Sequence, residues 1–231
     1  MKELGVYFAE PRKDAYISIG FVMLIWVSVT GVFYLLGQVP GGQEALRPTT
    51  EFRLSNSVFQ WFKYALLSII PISLILRARG QSLDSVGLTQ RNAGTSVGIG
   101  LLLSALLVSI VIWDLSAERF VQVLLSSASF YAFIYYLAVG LGEELMFRGF
   151  LQLRCSIWLG EIRGWLLASV IMALIHLPQR IFVMRLELFQ ALGSALSLIP
   201  VSLLFGFIFL RTRNILGPAL LHDVFDWVSI F

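Results

Sequence analysis

Cysteine occurs once in the 231 residues, at Cys155, so the chain can form no internal disulfide and no cysteine-based metal cluster. Histidine is nearly as scarce: His176 and His222 are the only two, and no His-Glu-x-x-His pattern joins them. Charge is thin as well, with 13% of residues Asp, Glu, Lys or Arg against about 25% in an ordinary soluble domain. No internal repeat or low-complexity tract supports a repeat-built transporter. Basic residues are not interleaved with aromatics into a patch, so no nucleic-acid partner is expected. The apolar stretch after the mixed polar segment 1–14 lacks a small-residue cleavage pattern, which makes it a retained span and not a signal peptide.

What the chain has in excess is apolar residues, 58% of the total, spread along its whole length. That distribution leaves no room for a sizeable extramembrane domain. It predicts an all-α, polytopic membrane helical bundle of about seven transmembrane helices, forming a single integral membrane domain over 1–231. The expected spans are about 15–39, 58–76, 96–113, 121–156, 165–177, 188–210 and 215–231, with the fifth stopped by Pro178. A cytoplasmic N-terminus puts Lys2, Arg12, Lys13, Arg77, Arg79, Arg91, Arg154, Arg163, Arg211 and Arg213 inside. Only Arg47, Arg53, Lys63, Arg119, Arg180 and Arg185 then lie outside, and this basic excess favours that orientation. The expected location is a cell membrane, bacterial in type.

Against this background, two adjacent carboxylates stand out. Glu143 and Glu144 follow directly on the uncharged run 120–142, and Arg148 comes four residues after the second. An ionisable group in a membrane segment costs roughly 2.5–3.5 kcal/mol on insertion scales, so such groups mark sites more often than they decorate surfaces. If the fourth and fifth spans form an antiparallel hairpin turning near Gly160, Glu143 (17 residues before) and His176 (16 after) reach nearly the same depth. A carboxylate facing an imidazole can hold and deprotonate a water. Glu144 and Arg148 share a helix face about 100° from Glu143, so Arg148 is expected to neutralise Glu144 and leave Glu143 free. Gly140, Gly142 and Gly149 thin the helix there and admit a close neighbour. In the last span His222 and Asp226 are again i,i+4; His222 can donate to a developing oxyanion, and Asp226 can orient it or donate if protonated. Asp223 lies off that face and is expected to be bland, and Cys155 to be inert core.

Taken together, Glu143-Glu144-x-x-x-Arg148, His176 on the next span and His222-x-x-x-Asp226 on a late one resemble the CPBP intramembrane proteases. These glutamate-type proteases are related to the CAAX prenyl endopeptidase and also occur in bacteriocin processing and immunity. Leu83-x-x-x-Gly87-Leu88, Phe147-Arg148-Gly149 and Gly217-Pro218 add to the resemblance, which covers a protease-like core over about 76–231. It implies a membrane endopeptidase needing no cofactor or metal, acting on a membrane-embedded or lipid-anchored peptide or protein. Glu143 would be the water-activating base, His176 its partner, His222 and Asp226 the oxyanion site, and Glu144 and Arg148 their support. Two positions depart from the pattern or bend it. Met172 stands where the family usually has an aromatic, and Asp226 must be protonated, or confined to orienting His222, because an ionised carboxylate is a poor donor.

Three other readings compete. Two histidines and a glutamate could hold zinc with water in the fourth position, although Arg148 would repel a dication. A catalytically silent immunity or scaffold protein could keep the fold. A proton-coupled transporter could use the buried carboxylates as a relay.

Overall fold

The computed structural model describes residues 8–42 and 51–231, and among these every regular element is helical. Lys2 and Arg47, which enter the charge comparison, lie outside the described residues. In chain order the helices are α1 (Pro11–Gln38), α2 (Leu54–Tyr64), α3 (Ile70–Ala78), α4 (Ala93–Asp114), α5 (Ala117–Leu124) and α6 (Ser127–Glu144). After them come α7 (Leu153–Leu159), α8 (Glu161–Leu174), α9 (Leu188–Leu196), α10 (Ile199–Thr212) and α11 (Leu216–Trp227).

Among the described residues, six helical segments are long and apolar enough to cross a bilayer: Pro11–Gln38, Leu54–Ala78, Ala93–Trp113, Ser127–Leu159, Glu161–Val183 and Leu188–Thr212. The chain is thus an integral membrane protein of the expected all-α class. Most of its outward apolar residues, among them Leu24, Val27, Leu35, Leu102 and Ile110, belong to these segments and suit lipid as solvent. The seventh expected segment is α11, whose 12 residues rise about 18 Å, well short of a hydrocarbon core of about 30 Å.

Several boundaries differ from the sequence expectation, each for a local reason. The uncharged run 120–142 is not one helix. It breaks at Leu125–Ser126, where the Ser126 side chain accepts from the Ser129 amide and starts α6 afresh. Pro178 does not stop the fifth segment. A turn at Ile175–His176 precedes it, and Pro178 then takes a helical conformation at the start of the next turn, where its missing N–H is harmless. The sixth segment is likewise two helices, α9 and α10, parted at Ser197–Leu198.

The described residues fall into two compact units, each drawn from separate stretches of chain. One comprises the described residues within Met1–Pro48, together with Phe150–Gly206. In it α1 packs on α7 through Tyr16 and Trp158, whose ring centroids are 5.0 Å apart, and the buried Arg154 guanidinium lies 4.2 Å from the Phe150 ring. The turn from α7 to α8 is at Gly160 as expected, with φ +92°, a conformation that favours glycine. Gly164 then lets α8 press directly on the Cys155–Ser156 backbone.

The other unit comprises the described residues within Thr49–Gly149, together with Phe207–Phe231. Here α11 runs antiparallel to α6 and also packs on α4. Small residues set the spacing: a Cβ on Gly140 would come 2.5 Å from the Ala219 carbonyl, and one on Gly100 would come 2.6 Å from the Gly217 carbonyl. At the far end of α11, Trp227 Nε1 donates to the Ser129 carbonyl at 3.0 Å.

Candidate active site

Glu143 and Glu144 close the last turn of α6, and the chain continues as a π segment, Leu145–Gln152, that contains Arg148. Further π segments, Ala65–Ile69 and Gln179–Val183, begin one residue after Tyr64 and three after His176. Single π turns inside helices are frequent at functional positions.

Glu144 and Arg148 are both fully buried and meet as expected, with Nε 3.0 Å from Oε2. Glu144 does more than the sequence indicated. Its other oxygen, Oε1, lies 3.0 Å from His222 Nδ1, so one carboxylate joins the guanidinium of its own helix to an imidazole on α11. That carboxylate is hydrogen-bonded through Oε1 and ion-paired through Oε2, and the guanidinium balances its charge. With Nδ1 engaged by Glu144, Nε2 is the ring nitrogen on the Asp226 side, 3.6 Å from Oδ2. That separation is an ion-pair distance beyond a normal hydrogen bond, and Asp226 keeps 30% of its side chain exposed. The i,i+4 spacing therefore does bring His222 and Asp226 together, while Glu144 is the closer partner of the imidazole.

Glu143 points elsewhere. Its Oε1 accepts from the Tyr64 hydroxyl at 2.6 Å, a bond that joins residues 79 apart in sequence. Nothing in the local pattern around Tyr64 marks it, because the contact depends on how α2 packs against α6. Asp223, off the His222–Asp226 face, is fully buried, and neither of its carboxylate oxygens has a hydrogen-bond partner among the described residues.

His176 belongs to the other compact unit, in the turn that follows α8. Its Nδ1 is 2.8 Å from the Met172 carbonyl, which can only accept, so Nδ1 carries the proton and Nε2 is left as the basic nitrogen. The residue four before the histidine thus contributes its backbone, and a methionine does this as well as an aromatic would. Cys155 is buried and forms no disulfide.

The three outlying signatures all act in the unit that holds the glutamates. Leu83–Val86 is a 3₁₀ turn closed by Gly87 at φ +73°, and the Gly87 carbonyl accepts from the Ile215 amide at 3.1 Å. Gly149 packs against the Val86 backbone, and Gly217 against Ser96, whose hydroxyl accepts from the Gly217 amide at 2.9 Å. Asn214 ties the same corner, donating to the carbonyls of Thr89 (2.7 Å) and Arg91 (3.2 Å) and capping the Leu216 amide at 2.9 Å. These contacts anchor the corner at which α11 begins.

Residues 125–228 match the family model described as type II CAAX prenyl endopeptidase Rce1-like, a stretch that contains Glu143, Glu144, Arg148, His176, His222 and Asp226. No curated protein and no solved structure matches the chain.

Proposed function

From the match of residues 125–228 to the family model described as type II CAAX prenyl endopeptidase Rce1-like, we infer that the chain is an intramembrane endopeptidase using Glu143 and His176 to activate water. In this reading water attacks the scissile carbonyl carbon while its proton passes to Glu143. The carbonyl oxygen becomes an oxyanion that His222 stabilises by hydrogen bonding, with Asp226 orienting the ring or donating beside it. Collapse of the tetrahedral intermediate breaks the C–N bond. Glu143 returns the proton to the departing amine, leaving a new carboxylate and a new N-terminus.

The observation that carries the reading is the 3.0 Å contact of His222 with Glu144, because it joins the oxyanion-site helix to the turn bearing the proposed base. Support for His176 as the partner of Glu143 is the near-equal separation of the two from the Gly160 turn, together with the tautomer that leaves its Nε2 basic. The substrate class is a membrane-embedded or lipid-anchored peptide, with the lipid bilayer as its other partner; prenylated CAAX tails, leader peptides and membrane-protein segments all fit.

The test is cleavage by purified protein in lipid. Glu143→Ala and His176→Ala each abolish cleavage while the protein still inserts. If a cellular phenotype survives both changes, the chain acts as a binder. Loss of cleavage on chelation, restored by zinc, replaces this mechanism with a metal-dependent one, and substrate flux that follows a proton gradient replaces it with transport.

A further inference from the structure

Four side chains on one stripe of the second membrane segment reach α6. Ser57 Oγ donates to the Tyr131 carbonyl at 2.8 Å, Trp61 Nε1 to the Ile134 carbonyl at 3.0 Å, and Ser68 Oγ to the Gly142 carbonyl at 2.7 Å. Those three bonds end on backbone oxygens and dock one helix on the other. Tyr64 is different, because its hydroxyl donates to the Glu143 carboxylate, and 2.6 Å is the length of a charge-assisted O–H···O⁻ bond.

The contact is also built from the backbone side. A Cβ on Gly142 would run into the Tyr64 ring, so the glycine preceding Glu143 is what lets the ring lie against the turn that carries the carboxylate. Tyr64 itself is only 9% exposed, and the Lys63 ammonium sits 4.9 Å from its ring centroid. Ser68, one helical turn on, pins the carbonyl of the same Gly142. Ring, hydroxyl and backbone clamp therefore converge on one residue. A glutamate side chain has three rotatable bonds, and a fixed donor on one oxygen holds it in a single rotamer.

We propose that Tyr64 is the positioning residue for Glu143, holding its carboxylate in the orientation from which it takes a proton from water. The role rests on the endopeptidase reading above, but the bond itself can be examined without it.

The variant is Tyr64→Phe, which keeps the ring against Gly142 and removes only the hydroxyl. Trp61→Phe is its control, since it removes a bond of the same stripe that ends on backbone. The first readout needs no substrate: the infrared carboxylate stretch of Glu143, identified by its loss in Glu143→Gln, shifts in Y64F and stays in place in W61F. The second uses a fluorogenic prenylated CAAX peptide in lipid vesicles. Y64F lowers kcat about tenfold or more with KM within about twofold of wild type, and W61F leaves both unchanged. An unmoved infrared band in Y64F overturns the proposal, as does an unchanged kcat, or a kcat loss in W61F equal to that in Y64F. If wild type and E143Q cleave the peptide equally, or neither cleaves it, the endopeptidase reading fails on this probe. The infrared band still decides whether Tyr64 holds Glu143.

Discussion

Glu144 and His222 stand 3.0 Å apart, 78 residues distant in sequence, and Glu144 also faces Arg148 at 3.0 Å. One buried carboxylate therefore carries both the ion pair within its own helix and the link to α11. Stability and site geometry depend on the same side chain, which separates the effects expected of its neighbours.

Removing one partner of a buried pair strands the other. Glu144→Ala leaves the Arg148 guanidinium, which is fully buried, without the carboxylate beside it. The expected loss is about 3–5 kcal/mol, read as a lower thermal unfolding midpoint in detergent. The double replacement Glu144→Leu with Arg148→Met recovers part of that stability and none of the cleavage.

The two groups at the oxyanion position differ in their expected response. His222→Ala lowers kcat about 100-fold or more with little change in KM, the usual result of deleting a transition-state donor. Asp226→Asn retains activity, since an amide offers a donor on the side facing His222 Nε2. Asp226→Ala loses about tenfold or more. Steady-state kinetics on one peptide ranks the three variants.

A methyl group tests the packing that sets the site. Gly140→Ala puts a carbon 2.5 Å from the Ala219 carbonyl, so α6 and α11 must move apart. Overpacking of this kind costs about 1–3 kcal/mol, and here it also lengthens the Glu144–His222 contact. Both the unfolding midpoint and kcat fall together.

The corner at the start of α11 should act on stability alone. Asn214→Ala leaves the carbonyls of Thr89 and Arg91 and the Leu216 amide without their partner. The expected cost is about 1–3 kcal/mol, seen in thermal unfolding, with kcat per folded molecule close to wild type.

These expectations rest partly on what sequence pattern made legible and partly on what it could not. The long apolar runs gave the helices, because a membrane leaves a segment of that length few other ways to satisfy its backbone. The i,i+4 pairs Glu144–Arg148 and His222–Asp226 followed from helical period, and the turn at Gly160 from a glycine that breaks an apolar pattern. The break before α6 was hidden inside an uncharged run; its only local signal is the capping Ser126. The Glu144–His222 and Tyr64–Glu143 contacts join residues far apart in the chain, so only the packing of α11 and α2 on α6 brings them into being. The burial of Asp223 is not legible either, because position on one helix face says nothing of what covers the opposite one.

The central claim is that Glu143 is the base for peptide hydrolysis within the membrane. Its most direct test is quantitative membrane proteomics of cells carrying either the wild-type chain or Glu143→Gln at equal abundance. The account predicts that specific membrane-associated peptides accumulate uncut in the Glu143→Gln cells and appear as cleaved products only with wild type. Identical peptide profiles in the two would contradict it.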